Sequence, residues 1–353
     1  LVSSPSGYGD DFGLPKILVI GCGGAGNNAV SRLARYGLPG ARTLAINTDN
    51  QQLQCAWADA KILIGQRLTQ GMGAGGDPDL GRRAAELAMP ELEGILKDAD
   101  LVFVLAGLGG GTGTGSAPVV ARLARERGAI VVALVTTPFH LEKARVFAAE
   151  EGLELLRSHA DTSIVLDNNR LVQRAPHLPL EDAFSFVDEI IADIVSGICE
   201  TITQPSLINL DYADLCTIMR SGGASFMFVG EASMKSSPEK IVRAALKNPL
   251  LDVYDRGAGA CLLHLTGGPD MSMKEAAAIA GALTQELDPK ANVIWGARIR
   301  PDLAGKVRLL AIITGVKSAQ VLSATRPQAE RQHQQRGGRR KMDEISPKLD
   351  RIR

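Results

Sequence analysis

The chain alternates short, almost wholly apolar runs with longer stretches of helical periodicity. Lys16–Ile20 (KILVI), Leu101–Gly107 (LVFVLAG), Ala129–Thr137 (AIVVALVTT) and Thr162–Asp167 (TSIVLD) have few polar positions. Strand-sized runs without alternation predict strands buried on both faces. Ala41–Asp49 and Lys61–Gly65 read as two more strands, and helical stretches separate most of the six. Alternating β and α elements imply a doubly wound, mostly parallel α/β sheet.

Residues 181–203 break that rhythm. Phe184, Val187, Ile191, Ile194 and Ile198 recur at helical spacing, and Phe186, Ile190 and Val195 widen the apolar surface. This predicts a helix of roughly 34 Å at 1.5 Å per residue, able to act as a spine between two domains. Beyond it, SFMFVGEA, GACLLHLTGG, NVIWGARI and VRLLAIITG read as strands, and SPEKIVRAALKNP and SMKEAAAIAGALTQEL as helices. The expected organisation is a flexible arm (1–14), a first domain (15–180), the spine (181–203), a second, smaller α/β domain (204–316) and a disordered basic tail (317–353). Between 318 and 353 the tail has nine Lys/Arg against four Asp/Glu, a net +5. It ends in KMDEISPKLDRIR, which reads as a short binding peptide.

Composition narrows the function classes. Across 353 residues, 39 Lys+Arg balance 39 Asp+Glu. That excludes a chain-wide nucleic-acid footprint and the acidic surface of a salt-adapted proteome. No apolar run reaches the ~20 residues of a membrane helix, and no signal peptide precedes Lys16. Leu1 in place of Met is expected of a chain that begins inside a longer reading frame. Cys22, Cys55, Cys199, Cys216 and Cys261 are odd in number and form no C-x-x-C pair. They are expected to be buried or half-buried thiols in a reducing cytosol, without disulfides or zinc. His140, His159, His177, His264 and His333 show no metal spacing.

Two glycine-rich segments carry the chemistry. Gly21-Cys22-Gly23-Gly24-Ala25-Gly26 fits G-x-G-x-x-G between a strand and a helix. Alone it is compatible with NAD or FAD, with another nucleotide, or with a tight turn. Gly109-Gly110-Gly111-Thr112-Gly113-Thr114-Gly115 also lies between a buried strand and a helix. Read as a loop, its backbone N–H groups form an anion nest, backed by the positive helix end and the Thr112 and Thr114 hydroxyls. No Lys follows, so it is not a Walker A loop. A dinucleotide fold has no use for a second such loop, and the pair suggests one mononucleotide with several phosphates.

GGGTGTGSAP (109–118) matches the tubulin signature, and from about Pro15 to Val316 the chain resembles the prokaryotic tubulin-homologue family, FtsZ. GCGGAGNN (21–28), AINTD (45–49), GMGAGGDP (71–78), TTPF (136–139), NNRL (168–171), AFSFVD (183–188) and INLDYADLCTIM (208–219) match in order and spacing. The resemblance implies a GTP-binding GTPase that polymerises head to tail into filaments and forms the cell-division ring, in the cytoplasm at mid-cell. It implies GTP/GDP as ligand, with Mg²⁺. Gly23, Gly24, Ala25, Gly26, Asn27 and Asn28 would contact the nucleotide, Gly109–Gly115 (Gly109, Gly110, Gly111, Thr112, Gly113, Thr114, Gly115) the phosphates, and Ala74, Gly75 and Gly76 would flank the γ-phosphate. Glu142 and Arg145 would serve the ribose segment, Phe184 would stack near the base, and Asn47, Asp49, Thr137, Pro138 and Asn168 complete the pocket. Asp188 would read guanine, since a carboxylate accepts the adjacent N1–H and N2–H that adenine lacks. Asn209, Asp211 and Asp214 would activate hydrolysis, and the two acids also suit a helix N-terminus.

Asp188 lies near the start of the spine and Asp211 beyond its far end, on the order of 30 Å apart. The two sites are therefore expected to meet only between subunits, giving an open head-to-tail filament. The partners implied are further copies of the chain and, through the tail, a membrane adaptor or division protein. An adaptor-binding terminus is favoured over binding of nucleic acid or anionic lipid. Departures from the pattern are HLEKARV, with Arg145 one residue early or a surface cation, and LDNNRL, with Asp167 for Pro and Asn169 for the acid. The tail lacks the bacterial anchor peptide, and GCGGAGNN and NVIWGAR look archaeal. An NAD-dependent oxidoreductase and a tubulin-like cell-shape protein are the rival readings.

Overall fold

The computed structural model describes residues 14–38, 40–170, 179–220, 224–246, 259–285 and 287–316. The arm up to residue 13, His177, His333 and the basic tail lie outside them. The six apolar runs become β1 (Ile17–Cys22), β2 (Ala41–Asn47), β3 (Ala60–Leu63), β4 (Leu101–Gly107), β5 (Ile130–Thr137) and β6 (Thr162–Asp167). They form one sheet in the order β3-β2-β1-β4-β5-β6, and every neighbouring pair is parallel.

Period-2 alternation splits each central strand between two helical layers. Ile17, Val19, Leu101, Phe103 and Leu105 face α1 (Gly23–Tyr36) through Ala29, Val30 and Leu33. Leu18, Ile20, Val102 and Val104 face the other layer. Two short helices, α2 (Asn50–Cys55) and α3 (Gln66–Thr69), precede that layer, which comprises α4 (Pro78–Leu87), α5 (Met89–Leu96), α6 (Gly111–Glu126) and α7 (Ala144–His159). Two strands end earlier than the sequence predicts. The chain leaves β2 at Asn47 because Asp49 caps α2, its Oδ1 accepting from Gln52 N at 3.0 Å. It leaves β3 at Leu63, and Gly65 then opens α3 with φ +64°.

The spine is α8 (Leu180–Thr203). Val187, Ile191, Ile194, Val195, Ile198 and Ile202 are buried, and one apolar cluster runs from β1 and α1 through α8 into the second sheet. After α9 (Tyr212–Arg220), that sheet contains β7 (Ala224–Ser233), β8 (Ala260–Gly267), β9 (Asn292–Ile299) and β10 (Lys306–Val316), in the order β7-β10-β8-β9. β10 runs antiparallel to β7 and β8, while β8 and β9 are parallel. α10 (Pro238–Leu246) and α11 (Met273–Thr284) accompany it.

Because α8 is shared by both sheets, cutting it should weaken the whole. Ile198→Ala, at a position 1% exposed, is expected to cost about 2–5 kcal/mol. Denaturant titration of the full chain would register this as an earlier midpoint.

Candidate functional site

The carboxyl ends of β1 and β4 adjoin where the strand order reverses, the position at which open α/β sheets bind ligands. Neither glycine-rich segment is a loop there. α1 starts at Gly23, directly after β1, and α6 starts at Gly111, so Gly23–Asn28 and Gly111–Gly115 are helical first turns. The expected seven-residue nest is thus a short turn, Leu108–Gly110, leading into the first turn of α6, with the N-terminus of α1 beside it. The reason is packing. A Cβ on Gly23, where φ is +72°, would lie 2.8 Å from Gly113 N. One on Gly113 would lie 2.7 Å from the Gly107 carbonyl and 3.0 Å from that of Cys22. The glycines let the two helix ends touch, and both positive ends reach one edge.

The surrounding hydroxyls are partly engaged. Thr114 is buried and its Oγ1 accepts from Gly109 N at 2.8 Å, so it stiffens the turn. Thr112 Oγ1 is 2.6 Å from Thr48 Oγ1 and ties α6 to the end of β2. The Ala74–Gly76 segment lies against the same turn, since a Cβ on Gly111 would fall 2.8 Å from Ala74 Cβ. On the far side, Pro138 and the Arg145 carbonyl crowd Gly109. Glu142 holds that region together: its Oε1 accepts from Phe139 N at 3.0 Å and its Oε2 pairs with Arg145 at 2.7 Å. Asn169, which stands where the family pattern has an acid, forms a bridge. It donates to Asp167 Oδ1 at 2.7 Å and accepts from His140 N at 2.8 Å.

A cleft of about 1280 Å³ opens beside the first turn of α1. Gly24, Ala25, Asn28, Asp49, Asn168, Phe184 and Asp188 line it, together with Asn27. Asn27 and Asn47 are buried, and the Asn27 amide is assigned with its nitrogen toward the Gly21 carbonyl and its oxygen toward Asn47 Nδ2. Asn27 forms part of the wall, and Asn47 supports it from behind. Asn168 Oδ1, also buried, has no hydrogen-bond partner among the described residues. Phe184 meets Phe139 edge to face, with ring centroids 6.2 Å apart. The Asp188 side chain is 22% exposed, and burial pushes its carboxyl up to about 6. Arg32 Nε, 4.0 Å away, opposes that shift and the neighbouring Glu189 adds to it. Arg32 escaped the sequence reading. Its only signal is helical spacing, four residues after Asn28 on α1.

Asn209, Asp211 and Asp214 are not in this cleft. Asp214 N donates to Asp211 Oδ1 (2.8 Å) and Asp211 N to Asp214 Oδ2 (3.1 Å), a reciprocal cap on α9. Asp211 precedes the helix rather than lying in it. The neighbouring Tyr212 hydroxyl donates to the Asp100 carbonyl at 2.6 Å. Asp100 immediately precedes β4, whereas Gly109–Gly115 follow it, so acids and glycines occupy opposite edges of the first sheet.

His264 is buried, and burial with the nearby Arg298 charge pulls its imidazole down to about 4. Cys22, Cys199 and Cys261 are buried and their thiols rise to about 12. Cys55 differs from expectation: it is exposed, on the rim of the cleft. Among the described residues no three His, Cys, Asp or Glu side chains gather as a metal site, and no helix is long and apolar enough to cross a membrane.

The Tubulin/FtsZ family GTPase domain matches residues 16–176, and the FtsZ family C-terminal domain matches residues 223–317. The cell division protein FtsZ 2 of Haloferax volcanii is 58% identical over 92% of this chain and 82% of its own length. The chain belongs to the FtsZ family. The FtsZ 2 of Methanocaldococcus jannaschii is 55% identical over 89% of this chain and 83% of its own length. An empty FtsZ dimer from M. jannaschii superposes with a TM-score of 0.79 at 47% identity, covering 85% of this chain and 88% of that one. A GTPγS-bound protofilament of CetZ2 from H. volcanii gives 0.72 at 26% identity, over 88% and 96%. FtsZ membership brings guanine-nucleotide binding, GTP hydrolysis and a place in the cell-division cytoskeleton, and it removes the oxidoreductase reading. The archaeal relatives agree with the archaeal look of the sequence.

The raised Asp188 carboxyl has a stability consequence. Without nucleotide the folded chain binds more protons than the unfolded chain between about pH 4 and 6, so burial of the charge destabilises it progressively as pH rises through that window. Asp188→Asn should therefore melt higher than the parent at pH 7 and at the same temperature near pH 4. Thermal melts of nucleotide-free protein across that range test this.

Proposed function

We propose that the protein is a polymerising GTPase that binds GTP at the β1/β4 edge and stacks head to tail. Hydrolysis occurs when the Asp211/Asp214 segment of one subunit closes over phosphates held by the next. The observation that supports it most is the Tyr212–Asp100 hydrogen bond, which ties the acidic segment to the amino edge of β4. Seven strand residues at ~3.3 Å each separate the two edges by roughly 23 Å. One chain therefore does not bring its acids to its own phosphates.

Each group has a task that its surroundings suit. Asp188 accepts N1–H and N2–H of guanine. Asn168 Oδ1 is a further acceptor in the same cleft, and a buried oxygen without a partner among the described residues suits a ligand donor. Phe184 flanks the base and Glu142 the ribose. The N-termini of α1 and α6 neutralise phosphate charge without a lysine. A phosphate-borne Mg²⁺ fits a site where the described residues offer no acidic cage, and it would supply further charge neutralisation. Asp211 and Asp214 each use one oxygen in the cap. The others orient the attacking water, with Asn209 exposed beside them. In the cell the filament forms the mid-cell division ring, and the tail beyond residue 316 engages a membrane adaptor or division protein.

GTP turnover measured against protein concentration tests the shared site. Turnover per subunit should rise steeply and then level. Asp214→Ala should bind GTP within about threefold of the parent while its turnover falls by on the order of 100-fold or more. Turnover indifferent to dilution, or untouched by Asp214→Ala, would end this reading. GTP affinity should also weaken below pH 6, approaching about tenfold per pH unit, as the Asp188 carboxylate is lost. Binding titrations from pH 5 to 8 would expose a flat profile if Asp188 does not read the base.

A further inference from the structure

The acidic segment is clamped at both ends. Upstream, Ile208 pairs with Ala297 of β9: Ile208 N donates to the Ala297 carbonyl and Ala297 N to that of Ile208, each at 3.1 Å. Leu210 is buried, and a Cβ on Gly296 would fall 2.6 Å from its Cγ, so the loop is packed hard on the second sheet. Downstream, the contact is Tyr212. Its hydroxyl reaches Asp100, a junction for three strands of the first sheet. The Asp100 carbonyl accepts from Tyr212 Oη at 2.6 Å and from Ile130 N at 2.8 Å. The Asp100 backbone N donates to the Lys16 carbonyl at 2.9 Å, and its carboxylate accepts from Lys16 N at 2.7 Å. Burial, with the Cys216 side chain one turn along α9, raises the Tyr212 phenol above its ordinary value. It therefore stays protonated, and a donor, throughout the physiological range.

Only Asn209 and Asp211 are exposed between the two clamps, apart from buried Leu210. The cap between Asp211 and Asp214 straddles Tyr212, so the hydroxyl contact fixes the rotation at which α9 begins and the direction of both carboxylates. We infer that Tyr212 is a positioning residue for GTP hydrolysis, holding the Asp211/Asp214 cap against the Asp100 junction so that both acids meet the neighbour's phosphates in one orientation. The inference rests on the shared-site reading above. It adds a residue that does not line the nucleotide cleft and whose hydroxyl contacts the Asp100 carbonyl, and it ties the acids a subunit gives to the strand, β4, that leads to its own phosphate turn.

The experiment compares the full chain with Tyr212→Phe and Asp214→Ala, measuring GTP affinity, the concentration threshold for assembly, and kcat and KM per assembled subunit. Tyr212→Phe keeps the ring and removes one hydroxyl. It should leave GTP affinity, KM and the assembly threshold within about twofold of the parent, and lower kcat by about 3- to 10-fold, the range one net hydrogen bond commands. A melting temperature close to the parent's is expected alongside. Unchanged kcat in Tyr212→Phe, with turnover lost in Asp214→Ala, overturns the role of Tyr212 alone. A fall in kcat that only tracks a raised assembly threshold also overturns it, since the hydroxyl then serves assembly. Turnover retained in Asp214→Ala overturns the shared-site reading itself.

Discussion

The site depends on one close approach, that of the α1 and α6 N-termini across the β1/β4 switch point. Gly23 and Gly113 meet there with no room for a methyl group on either. The same constraint continues behind them. A Cβ on Gly115 would collide with the Pro78 carbonyl and one on Gly81 with that of Gly111, so α4 presses on α6 and keeps its first turn at the edge. Glycine is used for proximity more than for flexibility. With both helix ends in contact, their unsatisfied N–H groups and dipoles sum at one place. On the proposed function, a polyphosphate would be held this way with no lysine in either segment.

The cleft beside those helix ends is left electrostatically unfinished. Asp188 is buried deeply enough to lift its carboxyl to about 6, and Arg32 at 4.0 Å does not bring it back to normal. Asn168 has a buried oxygen without a partner among the described residues. Folding alone would favour apolar residues or satisfied pairs at both positions. Departures of this sort from internal consistency gather where a ligand completes the set. On the proposed function the N–H donors of guanine would answer both, so that the cost in the empty protein and the affinity for guanine are two sides of one arrangement.

The sheet was legible because strands buried on both faces leave apolar runs that need no partner to be recognised. The spine was legible for a similar reason: Val187, Ile191, Ile194 and Ile198 write the helical period directly. What escaped reading depends on contacts between distant residues. That Gly111–Gly115 form a helical turn follows from α4 and from Gly23, none of which is adjacent in sequence. Arg32 gains its meaning only when α8 lays Asp188 beside it, 156 residues later. Tyr212 and Asp100 are 112 residues apart, and their hydrogen bond leaves no periodicity to detect. The exposure of Cys55 depends likewise on α2 ending at the rim of the cleft.

On the proposed function, placing the acids and the helix ends that would bind phosphate on opposite edges of one parallel sheet restricts how copies can associate productively. All six strands run the same way, so every helix N-terminus that follows a strand gathers at the carboxyl edge, and the Asp100 junction stands at the amino edge. A two-fold dimer pairs like with like. Joining two carboxyl edges would set phosphates against phosphates, and joining two amino edges would set acids against acids. Only a translation that lays one amino edge on the next carboxyl edge lets an acidic pair face a bound phosphate. Such a contact leaves an unused edge at each end and therefore does not close unless the chain curves into a ring. On this reading, polymer polarity follows from strand direction, and the subunit that binds the nucleotide differs from the one that finishes its hydrolysis because a single β-strand lies between the two sets of groups.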